Sequence, residues 1–307
     1  MQYTIRRLLQ TIIVIIGVSF ISFGLMFLTG DPTEVWLGEA ADFMTTEQIE
    51  EFRQIKGFDE PWYVQYYLFA KNAIRGDFGE SYRYSAPAFE IVMRRFPATI
   101  QLAFIALFVS VIVGIPIGVI SATRPNTLLD YVSTLAALIG QSVPSFFLGI
   151  LLMLIFGVWL RVLPISGKGD WRNMLLPAFT LAAFSLARNM RLTRASLLEV
   201  IQQDYVRTAR SKGLSERTVI YGHALRNALL PLVTMIGLQL GFLLAGSVIV
   251  ESIFAWPGVG RLIIDAIYNK DFSIVQAGVT VLAVSFTMVN LFVDLLYAWI
   301  DPRVRYN

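Results

Sequence analysis

The sequence contains no cysteine and a single histidine, His223, among its 307 residues. A disulfide scaffold, a cysteine nucleophile and any thiolate metal site each need a residue that is absent. Histidine metal clusters and most histidine general-base schemes lose their raw material as well. Charge is also scarce: 15% of residues are charged and 56% are hydrophobic, whereas a soluble domain carries about 25% charge. With a mean hydropathy of +0.62, this is the composition of a membrane protein. The phosphate-cradling pattern G-x-x-x-x-G-K-[ST] is missing too. Gly167-Lys168 has neither the upstream glycine spacing nor the Ser/Thr, so the chain cannot bind ATP in that manner.

What the sequence does contain is a series of long apolar runs. A helix crossing the hydrocarbon core needs about 20 mostly apolar residues, and six runs qualify: 8–28, 98–121, 131–160, 171–191, 228–250 and 272–300. The first follows Arg6 and Arg7. It is too long for a signal-peptide core and lacks a small-x-small cleavage site, which predicts a retained anchor. Basic residues stay on the cytoplasmic side of a membrane. One set of loops and ends carries a net +8, including Arg6, Arg7, Arg124, Arg207, Arg210, Lys212 and Arg217, and the other set a net −4. Both termini are therefore expected in the cytoplasm.

The one large polar segment, 30–97, falls on the outer side. Thr45 with Gln48 reads as a capping box opening a helix that ends at Gly57, and Pro61 opens a second one that stops near Gly76. The expected division is 1–29 as tail and first span, 30–97 as a small extracytoplasmic helical cap, and 98–307 as the core, with a cytoplasmic loop at 199–227. From Pro177 nothing breaks the fourth helix before Gly213, a predicted C-cap. That makes a single helix of about 54 Å, longer than the bilayer is thick. Ser215 then caps a second helix running through Ala224 towards Pro231. A charged hairpin that satisfies the charge rule and an elbow for a soluble partner are both compatible with this composition.

Several charges fall within the spans, where they are costly and usually face a partner or a cavity. Arg188 is expected to pair with Asp294, while Arg191 and Arg194 are within reach of the headgroups by snorkelling. Glu251 ends the fifth span, as a contact for a docked partner, a gate or a loop cap. Phe254, Trp256 and Pro257-Gly258 are expected to form a re-entrant turn at the interface, where aromatics concentrate.

The order of residues narrows this. Asp204-Tyr205-Val206-Arg207-Thr208-Ala209-Arg210-Ser211-Lys212-Gly213-Leu214, followed by Ser215 and by His223-Ala224-Leu225-Arg226-Asn227-Ala228-Leu229-Leu230-Pro231, closely resembles the EAA loop of the permease subunits of binding-protein-dependent ABC importers. The resemblance is to the dipeptide, oligopeptide, glutathione and nickel branch. Gly76-Asp77-Phe78-Gly79-Glu80-Ser81, Arg95-Phe96-Pro97-Ala98-Thr99, Glu251 with Phe254, Pro257-Gly258-Val259-Gly260, Asn290, Asp294 and Asp301-Pro302-Arg303 match further family blocks in order, so the resemblance covers almost the whole chain. The founding Glu-Ala-Ala triplet reads Arg207-Thr208-Ala209 here, so loop contacts known from sugar importers do not transfer.

The resemblance implies an all-α polytopic membrane protein with six transmembrane helices in the type I ABC importer permease fold. It implies that residues 204–215 form a coupling helix for an ATP-binding subunit; beside it, Arg188, Arg191, Asn290 and Asp294 are candidates for the pathway or for intramembrane charge, and Glu251, Phe254, Pro257 and Gly258 for docking or an outer gate. It implies a non-catalytic subunit without metal or cofactor of its own, ATP and Mg residing on partner ATPases. The partners would be a second, homologous permease, two ATP-binding subunits, an extracytoplasmic solute-binding protein and the lipid bilayer, with no nucleic acid. The location would be a prokaryotic inner membrane. Di- or oligopeptides are the leading cargo, with nickel complexes, glutathione or oligosaccharides as alternatives. An intramembrane aspartyl protease is the enzyme alternative, since Gly167-Lys168-Gly169-Asp170 imitates a G-x-G-D motif, but it has no matching second aspartate. Nothing resembles a channel's carbonyl filter or acidic ring.

Overall fold

The computed structural model describes residues 2–28, 33, 37, 43–81 and 83–300. Residue 29 at the end of the expected first span, the expected cap residues 30–32, 34–36, 38–42 and 82, and the Asp301-Pro302-Arg303 motif lie outside the described residues.

The protein is an all-α polytopic membrane protein. Among the described residues, four helices are long and apolar enough to cross a bilayer by length and composition: α1 (Gln2–Leu28), α4 (Ala88–Thr123), α11 (Leu230–Ile253) and α13 (Phe272–Ile300). A fifth candidate is a broken one. The expected third span is two helices, α5 (Leu128–Ser142) and α6 (Ser145–Leu152), the latter continuing as a π-helix over Met153–Trp159, with a 111° bend between them. The break has a local cause. Val143 precedes Pro144, is pushed out of the helical region to φ −78° and ψ 124°, and Pro144 has no N–H to continue the ladder.

The sixth expected crossing falls on α7 (Arg172–Ile201), whose 30 residues make about 45 Å, enough to cross. Unlike the other four it is not apolar along its length. Fourteen of its residues are buried where it packs on α5, α6 and α11, so one side of it faces protein and tolerates polar side chains, while Leu175, Phe179 and Phe184 stay exposed. A correction follows at its end. The expected continuous helix to Gly213 stops at Ile201, and Gln203 turns extended, with φ −73° and ψ 150°, before α8 (Asp204–Ser211). Neither Gly nor Pro marks this break; Asp204 does, because a carboxylate favours a helix N-terminus over a helix interior.

The chain forms two compact units, Met1–Thr99 with Pro257–Leu291 and Ile100–Trp256 with Phe292–Asn307. In the first, α2 (Thr46–Lys56) carries both bonds of the Thr45/Gln48 capping box, and α3 (Trp62–Ala73) begins behind Pro61. A two-residue antiparallel ladder pairs β1 (Glu80–Ser81) with β2 (Ala86–Pro87). Its core joins Phe78, Val92, Val259, Leu262, Ile263 and Ile274, the residues 259–263 coming from α12 (Val259–Tyr268). Two family blocks far apart in sequence meet here: the Val259 N–H donates to Thr99 Oγ1 at 2.8 Å. A third is tied in where the Ser81 hydroxyl donates to Asp271. The helix expected from residue 98 begins at Ala88 and runs through Pro97.

The second unit is organised on the α4–α7 crossing. Gly114 and Gly118 sit one turn apart on α4, where a Cβ would lie 2.8 Å from Leu186 O and 2.6 Å from Met190 O. Only glycine lets the two backbones approach this closely, the small-xxx-small logic of membrane helices. Above the crossing, Asn189 and Gln239 exchange carboxamide hydrogen bonds at 3.2 and 2.7 Å, and Asn189 also donates to Ser110 at 3.3 Å. All three side chains are buried, so α4, α7 and α11 are joined by a satisfied polar cluster.

Candidate functional site

Beyond the Ile201 end of α7 the chain builds an elbow. Asp204 in the first turn of α8 and Arg210 in the last complement the helix dipole. Val206 and Ala209, three apart and therefore on one face, are buried against Leu197 and Val200 of α7, Val119 and Ala122 of α4, and Val219, Ile220, Ala224 and Ala228 beyond. The remaining face, with Asp204, Tyr205, Arg207, Thr208, Arg210, Lys212, Gly213, Leu214 and Ser215, is exposed.

Gly213 sits at φ +76° with open space where a Cβ would be, so its backbone conformation alone demands glycine. Ser215 caps α9 (Glu216–Thr218) through its hydroxyl. A π-helical turn, Val219–Ala224, and α10 (Leu225–Ala228) then lead into α11, close to the expected path towards Pro231. Two locks hold the bend. Arg210 donates Nε and Nη2 to Glu216 at 3.1 and 2.6 Å, which lowers the Glu216 carboxyl from its ordinary range and raises the Arg210 guanidinium, hydrogen bonding dominating in both. Asn227 Nδ2 donates to Tyr205 Oη at 2.7 Å. The elbow is thus a preformed body continuous with two long helices, offering a basic, glycine-tipped surface.

The charges along α7 find definite partners. Arg188 directs Nη2 at Met235 Sδ, 3.8 Å away, and Arg191 donates to Gln141. Arg194, expected to reach headgroups, instead holds Asp130 through Nε and Nη2 at 2.7 and 2.8 Å. Asp130, 3% exposed, also accepts from Ser121 Oγ and from the Asn126 N–H, tying the α4–α5 turn to α7. In the sequence Asp130 stands as one acidic residue of the loop after the second apolar run. The available signal was its place three residues after Thr127, the N-cap of α5. Glu216 and Asn227 carry no such signal: their partners, Arg210 and Tyr205, lie six and 22 residues away across the bend. Asn290 and Asp294 are half-buried and one turn apart on α13.

The outer-gate set is divided. Glu251 and Phe254 fall in one compact unit, Pro257 and Gly258 in the other. Glu251, Phe254 and Trp256 are 0%, 1% and 0% exposed, so the expected interfacial aromatic turn is a buried one, and Glu251 and Phe254 present no surface to a docked protein in this conformation. The Phe254 carbonyl accepts from the Gly167 N–H at 2.8 Å, pinning the loop before α7. Gly258 is the extended N-cap of α12. Asp170, the protease alternative's aspartate, is exposed and accepts from the Arg172 N–H; its carboxylate serves the start of α7.

Comparison with known proteins agrees with this architecture. Residues 114–306 match the model of the binding-protein-dependent transport system inner membrane component, and residues 1–103 the model of its N-terminal membrane region. The chain is 38% identical to the dipeptide transport system permease protein DppB of Alkalihalophilus pseudofirmus and 42% identical to the glutathione transport system permease protein GsiC of Escherichia coli K12, covering all of both chains. Its fold resembles the MetNI methionine ABC transporter in inward-facing conformations, with a TM-score of 0.54 at 17% identity over 69% of this chain and 96% of that one. An amino acid ABC transporter with histidines gives 0.53 at 17% identity, over 70% and 94%. The chain belongs to the family of binding-protein-dependent transport system inner membrane components, the non-catalytic permease subunits of ABC importers.

Proposed function

We propose that this chain forms one half of the translocation pathway of an ATP-driven importer for a small polar solute, di- or oligopeptides first, and that the elbow at 204–215 receives the stroke of an ATP-binding subunit. The elbow's construction carries the reading. Its apolar face is sealed against α7 and α4, its polar face is exposed, and the chain has no phosphate loop of its own. A push on α8 therefore acts on packed helices rather than on a floppy hairpin.

In this scheme both termini face the cytoplasm and a second, similar permease completes the pathway. A solute-binding protein delivers cargo from the other side, ATP binding brings two ATPases together and opens the pathway outward, and hydrolysis resets it. Glutathione, nickel complexes and oligosaccharides are the alternative cargoes, and the binding protein makes most of that selection. On this reading Arg188 and Asp294 act as a pair along the pathway.

The test is Gly213→Val, or deletion of 209–214, in the assembled transporter. At φ +76° a β-branched residue is strained by about 1–2 kcal/mol, enough to distort the tip without unfolding the spans. Membrane insertion should persist and ATP-coupled uptake should fall at least tenfold. Undiminished uptake would refute the assignment. Charge reversal at Arg188 and Asp294 tests their pairing: each single reversal should impair uptake and the double should restore it.

A further inference from the structure

The second helix of the polar segment does not have the chemistry of a water-bathed cap. α2 carries Glu47, Glu50, Glu51, Arg53 and Lys56 within Thr46–Lys56, whereas α3 carries only Lys71 within Trp62–Ala73. Yet no residue of α3 is fully buried in the protein. Trp62, Tyr63 and Tyr67 are 59%, 59% and 64% exposed, and Ile74 continues the stripe one turn and more beyond. An uncharged aromatic face of this kind is unfavourable in water and marks a surface with another occupant.

Where α3 sits along α1 identifies that occupant. Its other face, with Tyr66 and Phe69, is zipped onto α1, and Trp62 sits at the boundary between the two faces, touching Phe20 by one edge while staying 59% exposed. Phe20 meets Trp62 at 6.2 Å and Tyr66 at 5.3 Å, and Phe23 meets Tyr66 and Phe69 at 5.6 Å. The Tyr66 hydroxyl lies 2.9 Å from Ser19 Oγ and donates to the Ile16 carbonyl at 3.3 Å. These partners are inside the apolar window of α1, Arg6–Gly24. At 1.5 Å per residue that window is about 27 Å long, and Ile16 to Phe23 occupy the stretch about 15–26 Å from Arg6. Because α1 fills the hydrocarbon core over this window, the docked helix lies level with its far half. Ile12, Ile13, Phe20 and Ile21 of α1 are themselves exposed, and the aromatic face of α3 extends that lipid-facing surface. Trp and Tyr favour this boundary between chains and headgroups, and Lys71 can snorkel outward from it.

We infer that α3 is an interfacial membrane helix, its Tyr63/Tyr67 face inserted in the bilayer leaflet at the end of α1 opposite Arg6 and Arg7, rather than a solvent-exposed lid. The partner is a lipid surface, engaged at the level where acyl chains meet headgroups. The helix thereby braces α1 from the side and leaves α2 as the water-facing part of the segment.

The absence of native cysteine makes the test direct. Nitroxide labels are placed singly by Tyr63→Cys and Tyr67→Cys, with Ile13→Cys as the lipid reference and Glu50→Cys as the water reference, in the full-length chain assembled with its partner subunits in liposomes. Collision with molecular oxygen and with a water-soluble nickel chelate is then measured. Labels at 63 and 67 should follow the label at 13, with oxygen accessibility high and nickel accessibility at least several-fold below that at 50. Nickel accessibility equal to that at 50 would overturn the inference in favour of a soluble lid. Shielding from both probes would overturn it in favour of a protein partner seated on the face. An independent readout uses unlabelled protein: brominated lipid should quench tryptophan emission less in Trp62→Phe than in the parent, and equal quenching counts against insertion.

Discussion

Asp130 shows how one side chain can carry the geometry of a helix end. Its carboxylate is almost wholly buried and holds two bonds from Arg194, whose side chain keeps 30% exposure. Breaking a buried pair costs about 3–5 kcal/mol when the orphan has no water. The two single variants therefore differ. Asp130→Ala leaves a guanidinium that can hydrate, while Arg194→Ala strands a buried carboxylate with only Ser121 and Asn126 as donors. Thermal unfolding in detergent should show the larger drop in midpoint for Arg194→Ala; the reverse order would contradict the burial argument. The Arg210–Glu216 lock is milder, being exposed at 39% and 56%, within the range of surface pairs worth about 1 kcal/mol or less. Since the Glu216 carboxyl is lowered in the folded state, its contribution is complete above the ordinary glutamate range and fades as pH falls through the lowered value. Amide exchange across 213–218 should accelerate in Glu216→Gln at neutral pH and converge with the parent in strong acid. Equal rates at neutral pH would remove the lock from the account.

At the scale of elements, the α4–α7 crossing is the feature most sensitive to volume. Gly118→Val places carbon where Met190 O and Thr193 Cβ already stand at 2.6 Å from a Cβ position, so the helices must part. Gly24→Val on α1 meets nothing within 4 Å and is the matched control. Assembly and melting point should fall for the first and hold for the second; equal tolerance would show that the crossing is not tightly packed. Such features explain what the sequence reveals. The long apolar helices α11 and α13, the Thr45/Gln48 cap and the Gly213 turn are legible because their cause is local: lipid surroundings, a hydrogen bond three residues away, a backbone angle. The bend at Pro144 is legible in principle, and was hidden by the apolar run around it. The break at Gln202-Gln203 has a local cause, Asp204, but one weaker in the sequence than a Gly or a Pro; the burial of Phe254 and Trp256 and the partners of Asp130 and Arg194 depend on contacts between distant segments. α7 is the instructive case. Its first part, 171–191, reads as a span, but the whole helix is too polar to stand among the apolar ones; it packs on α5, α6 and α11, a fact held by those helices rather than by its own residues.

At the scale of the molecule, the modest net charge of +3 conceals a division of labour. The basic residues divide almost evenly, thirteen on the elbow's set of loops and twelve on the opposite set, whereas five acidic residues fall on the first and sixteen on the second; the elbow is a basic surface fused by a buried core to long helices. A stand-alone enzyme or channel works alone, whereas a permease driven through such an elbow is idle until its ATPases are bound. The decisive measurement is solute uptake into liposomes containing the purified chain alone, the complete transporter, and the complete transporter carrying Gly213→Val, each with and without ATP. The account predicts ATP-dependent uptake by the complete transporter only, with at least a tenfold loss in the Gly213→Val form at unchanged subunit composition. Uptake by the chain alone, or full ATP-dependent uptake by the Gly213→Val complex, would contradict it.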